Sequence, residues 1–185
     1  MGGKDRHPNQ GTGRKTGKFA FPANPLTIEI MKIINQYSRR LPFNIEKLTR
    51  KLLKAVPNEH LVGLDSITLM DEFQQNKYKN ALGLYRKKHG LQPARIEIAL
   101  GNIYGTSPFI LCLIPLAGKL LYAKVLFHEI GHHYQYFTHS VSKKEAEGFA
   151  ENYGKRHTVK AIKGWLYVLR PLRPAIRWIN SKLDD

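Results

Sequence analysis

An α+β fold, with a small mostly antiparallel or mixed sheet packed against two helices, is the architecture this sequence predicts. Three observations carry it. Arg95-Ile-Glu-Ile-Ala-Leu alternates polar and apolar residues, the period of a half-buried strand. After Gly118 the period changes, and Ala123, Phe127, Ile130 and Tyr134 recur at steps of three and four, which places them on one helix face. At 185 residues and 42% hydrophobic, the chain has room for a single core.

The elements follow in order. Residues 1–24, rich in Gly, Lys, Asn and Pro, bury too little apolar surface to offset the entropy of ordering and read as a disordered basic leader. Gly11 to Lys18 lacks the spacing of a phosphate-binding loop. Residues 26–37 carry Ile28, Met31 and Ile34 at helical spacing, and residues 45–56 repeat the pattern with Leu48, Leu52 and Leu53, so two helices are expected before the sheet. Extended segments are expected at 67–70, 81–85, 95–100 and 109–114, the last stopped by Pro115. A helix from Gly118, a loop at 138–142 and a second helix over 143–156, with Ala146, Phe149, Ala150 and Tyr153 as its apolar stripe, complete a domain spanning 25–156.

Composition excludes several function classes. One cysteine, Cys112, permits no internal disulfide, and its apolar neighbours offer no charge to favour a thiolate, so it reads as a small buried hydrophobe. With no apolar stretch before Phe19 there is no ordinary signal peptide, and a cytoplasmic location is expected. The apolar region 108–127 is broken by Pro115, Gly118, Lys119 and Lys124, unlike a membrane span of about 20 apolar residues. Thirty Lys and Arg against fourteen Asp and Glu give a net charge of +16, a field attractive to nucleic acid, anionic lipid or acidic protein.

The chemistry concentrates in His128-Glu-Ile-Gly-His132. Histidines at i and i+4 share a helix side, so their imidazoles can converge on one ion, with Glu129 beside them. Nitrogen and oxygen donors suit Zn2+, and a catalytic site keeps one position for water. Glu129 is then placed to act as general base, taking the water's proton and delivering it to a leaving amine. Two histidines leave a third ligand to be found downstream. His139 lies one step beyond the spacing of a three-histidine site, where Gln135 and Thr138 stand instead of Gly and His. The next helix offers Glu145, Glu147 and Glu151.

Together these residues resemble the gluzincins, HExxH zinc peptidases whose third ligand is a Glu on a following helix, often in a Glu-x-x-Ala-Asp context. Here Glu147-Gly-Phe-Ala150-Glu151 is similar, with Glu for the final Asp. The resemblance spans about residues 61–156 and is specific in the two helices. It implies a minimal zincin-like fold, a protein or peptide substrate, Glu147 as ligand, and Glu151 orienting a ligand histidine. The register of Glu145-Ala146 with Phe149-Ala150 also looks like that of small regulatory members, which carry Glu where this chain has Lys143, and keeps Glu145 as a competitor. Strand 109–114 is the candidate for pairing with an extended substrate. His133 reads as a solvated or hydrogen-bonded helix histidine, Tyr134 and Tyr136 as packing residues, and no residue stands out as oxyanion donor.

The extension 157–185 mixes Trp165, Tyr167 and Trp178 with Lys160, Lys163, Arg170, Arg173 and Arg177. This pattern suits packing on the domain, lying on an anionic membrane, or phosphate contacts to nucleic acid. A binding protein built on the same fold is therefore the alternative function.

Overall fold

The computed structural model describes residues 31–105, 115–138 and 142–168. Strand β1 (Lys32–Asn35) is followed by helix α1 (Ile45–Leu53), then by strands β2 (Leu64–Met70), β3 (Gly83–Arg86) and β4 (Ala94–Ala99). Three helices follow among the described residues: α2 (Leu100–Gly105), α3 (Pro115–Thr138) and α4 (Lys143–Val168).

The four strands form one mixed sheet in the order β1-β2-β4-β3. β1 and β4 run parallel to β2, while β3 runs antiparallel to β4 at the edge. The sheet is therefore mixed, one of the two forms expected, with parallel pairing predominating rather than antiparallel. The helix expected over 26–37 is also corrected: Lys32–Asn35 is a strand, in register with Ser66–Leu69. Met31, Ile33 and Ile34 fit helical spacing in a short window. However, adjacent β-branched residues prefer an extended backbone, and pairing with β2 decides the matter. The ladder continues past the strand, with Gln36 N donating to Leu69 O at 2.8 Å.

α1 forms where its stripe predicts, with Leu48, Leu52 and Leu53 buried. The Asn44 side chain accepts from Lys47 N at 2.8 Å, and Glu46 lies in the positive first turn. β2 and β4 send Ile67, Leu69, Ile96 and Ile98 to one side, all 0% exposed. That face meets Tyr122, Leu126, Phe127 and Ile130 of α3 in the core. A buried 2.6 Å hydrogen bond between Thr49 Oγ1 and Tyr122 OH ties α1 to α3.

α3 begins three residues before Gly118, because proline is tolerated at the first helical position, where an N–H would have no partner. α4 continues past residue 156 to Val168. His157 is buried, stacked on Tyr153 with ring centroids 4.2 Å apart and 5.8 Å from that of Phe127, so this first residue of the basic extension packs on the core. The leader, the strand expected at 109–114, Cys112, His139 and residues 169–185 lie outside the described residues. No helix among the described residues is long and apolar enough to cross a membrane.

Candidate metal centre

The site depends on how closely α3 and α4 approach. At their crossing stands Gly131, where a Cβ would lie 2.9 Å from Ala150 Cα and 3.1 Å from Tyr153 Cβ. Carbon atoms settle at about 3.5–4.0 Å. Only a residue without a side chain lets the helices come this near, and this closeness carries Glu147, one turn before Ala150, toward the histidines.

His128 Nε2 and His132 Nε2 lie 3.1 Å apart, and Glu147 Oε2 lies 3.6 Å from the first and 3.5 Å from the second. A tetrahedral zinc ion with nitrogen and oxygen bonds of about 2.0–2.1 Å separates its ligand atoms by about 3.3–3.4 Å. The three observed edges bracket that value, so these donors fit one face of a zinc tetrahedron in both spacing and type. His128, His132 and Glu147 are the one group of three such ligands brought together among the described residues. Burial, then the neighbouring His128, lowers the pKa of His132, which favours the neutral imidazole that ligation requires. The far nitrogen of His128, Nδ1, faces Glu151 Oε2 at 3.8 Å. Glu151 also lies 3.3 Å from Lys155 Nζ and 3.6 Å from Lys124 Nζ, and the Lys155 contact leads in holding its carboxyl below the usual range. A carboxylate opposite Nδ1 favours the tautomer that leaves Nε2 free to bind.

Glu145 is occupied otherwise. Its Oε2 accepts from Ser142 N at 2.9 Å and Ser142 Oγ at 2.7 Å, while Glu145 N donates to Ser142 Oγ at 3.4 Å. This reciprocal cap starts α4 and turns Glu145 away from the histidines.

Glu129 is 6% exposed and presses against the edge of the sheet. The bond Ala99 N to Leu82 O sets the phase of the β3–β4 pairing: Leu82, Leu84 and Arg86 turn their backbone groups toward β4, and Gly83 and Tyr85 turn theirs outward. Tyr85 N–H donates to the Glu129 carboxylate, and a Cβ on Gly83 would lie 2.8 Å from Glu129 Cγ. Burial, opposed by the Tyr85 N–H and reinforced by Glu147, pushes the Glu129 carboxyl up to about 8. A cation held by the neighbouring histidines would lower it, favouring the carboxylate form that accepts a proton.

Gly83 and Tyr85 are the residues of the candidate site that the sequence did not single out. The one signal for them was a glycine inside a short strand, which marks close approach of another group. Among the described residues the cleft's edge strand is β3. His133 is 1% exposed, its Nε2 3.1 Å from Val62 O, so it is a buried, hydrogen-bonded histidine rather than a solvated one. Tyr134 stacks on His60 at 3.8 Å and is a packing residue, whereas Tyr136 is 52% exposed and lines the cleft.

The three donors and Glu129 lie at the wall of a cleft of about 800 Å³, also lined by Gly83, Tyr85 and Lys87. No family model, no curated protein and no solved structure matches the chain.

Proposed function

We propose that this chain is a zinc-dependent peptidase, a minimal gluzincin on a zincin-like fold, with His128, His132 and Glu147 as metal ligands and Glu129 as general base. The observation that carries the reading is the triangle of 3.1, 3.5 and 3.6 Å edges among the three donor atoms, with a buried carboxyl beside it. A merely structural ion has no use for a proton acceptor next to its ligands.

Zinc bound there would supply a Lewis acid for the scissile carbonyl and lower the pKa of a water. Glu129 would take one proton from a water whose oxygen adds to the carbonyl carbon. The same carboxyl then delivers the proton to the amide nitrogen as the carbon–nitrogen bond breaks. Tyr85 N–H holds the Glu129 side chain at the sheet edge. With the Tyr85 N–H taken by Glu129, the outward Tyr85 carbonyl and Gly83 backbone groups remain for pairing with an extended peptide. Glu151 fixes the ring of His128. A cytoplasmic setting accords with a chain whose single cysteine permits no internal disulfide.

Metal content and cleavage of a mixed peptide pool, measured for the native chain and for Glu129→Gln, test the reading. We expect about one zinc per chain in both, with cleavage confined to the native protein. Equal cleavage by both proteins removes Glu129 from the chemistry, and failure of the native chain to retain zinc removes the centre altogether.

A further inference from the structure

The site opens on two cavities of opposite character, and Gly83, His128 and Glu129 line both. The larger carries the cations Arg86, Lys87 and Arg95 together with His89. The smaller, about 490 Å³, is walled by Leu82, Ile103, Leu121 and Val125, and the one cation in its lining, Lys124, lies 3.6 Å from Glu151. The segment from Leu82 to Lys87 runs from the apolar cavity to the basic one. A peptide laid along it would therefore meet different chemistry on the two sides of the ion.

The basic side is organised rather than merely charged. Glu97, 9% exposed, is shared by two arginines, with Arg86 Nε at 3.0 Å and Arg95 Nε at 2.8 Å. One carboxylate cannot neutralise two guanidiniums, and each keeps its terminal nitrogens as donors. Lys87 is exposed, lies 5.9 Å from the Tyr136 ring centroid, and has no carboxylate partner among the described residues. Among the described residues the only carboxylates lining this cavity, Glu129 and Glu147, belong to the ion site.

We propose that the cleft selects peptides with acidic residues on one side of the scissile bond and an aliphatic residue on the other, and that Lys87 reads the acidic side. This rests on the peptidase reading above for the direction of cleavage, while the preference itself is a property of binding. An acidic peptide is favoured over a nucleic acid because half of the site is an aliphatic cavity, which a phosphate backbone does not fill.

The test uses the full-length Glu129→Gln chain with zinc and fluorescein-labelled peptides of equal length, read by anisotropy. Each pairs a run of Glu or of Lys with Leu or Ser, in both orders. A partly exposed charge contact changes affinity by up to about fivefold, so exchange of a Glu run for Lys is expected to weaken binding about tenfold or more, in one order only. Replacing Leu by Ser is expected to weaken it by about tenfold. Lys87→Glu should abolish the preference for Glu. Lys88→Glu, the same charge change at an exposed neighbour that does not line the cavity, should leave it intact.

Equal binding of Glu and Lys peptides overturns the proposal. So does an equal loss in Lys87→Glu and Lys88→Glu, which would assign the preference to the general field of +16. Displacement of the peptide by an oligonucleotide at no higher concentration would assign the cavity to nucleic acid and also overturns it. Failure of the peptidase reading is seen separately, as peptides that bind but that the native zinc-loaded chain leaves uncut.

Discussion

Replacing Gly131 by Ala probes the link between helix packing and metal binding. The new Cβ would sit 2.9 Å from Ala150 Cα, a backbone atom that no rotamer change can move aside. Reaching ordinary contact near 3.5 Å requires the helices to part by about 0.6 Å. Overpacking of this kind costs about 1–3 kcal/mol, while Ala regains about 1 kcal/mol of helix propensity over Gly. The net loss of stability is therefore about 0–2 kcal/mol, small enough for the fold to survive. The effect on the ion is larger in proportion. Glu147 rides on α4 one turn before Ala150, and a 0.6 Å shift is about three times the 0.2 Å tolerance of a metal–ligand distance. Zinc affinity, measured by competition against a chromophoric chelator, is expected to fall about 10- to 100-fold, as it does when the surroundings of a ligand are disturbed. Circular dichroism should show unchanged helix content. Unchanged zinc affinity in a variant that is also more stable would refute the reasoning, because it would mean that α4 can shift without moving a ligand.

The glutamates of α4 separate by role. Glu147→Gln should lose zinc with its fold retained, whereas Glu145→Gln should retain zinc and lower the melting temperature by weakening the cap with Ser142, as read by metal analysis and thermal melts. The metal-free protein should also lose stability in mild acid through His133. Burial, opposed by its bond to Val62, depresses its pKa from 6.5 to about 4. The folded state then binds fewer protons than the unfolded chain, so stability is complete above pH 6.5 and falls as the pH drops toward 4. The loss from this residue approaches about 3 kcal/mol. Glu129, raised to about 8, gains stability on acidification over the same window, so the loss is read as a difference: the native urea midpoint should fall relative to that of His133→Phe as the pH drops from 6.5 to 4.

Short-range periodicity made much of the site legible. An i, i+4 pair of histidines with an adjoining glutamate carries its geometry within one helix, so the helical period alone sets His128, His132 and Glu129 relative to one another. The stripe of α1 and the alternation of β4 were legible for the same reason. Residues 31–35 were not, since a few apolar residues fit two periods and the choice fell to a partner, β2, about thirty residues away. Parallel pairing is likewise a relation between distant segments that no local pattern records.

The sequence by itself determined which chemical groups a metal could use and that α3 and α4 would carry them. Tertiary structure decided that Glu147, not Glu145, meets the histidines, because that depends on how near two helices come at Gly131 and on which carboxylate Ser142 claims. It also decided that Glu129 is buried against Gly83 and Tyr85 of an edge strand. Distances between segments remote in sequence arise only once the whole core has packed, and for that reason no local pattern could supply them.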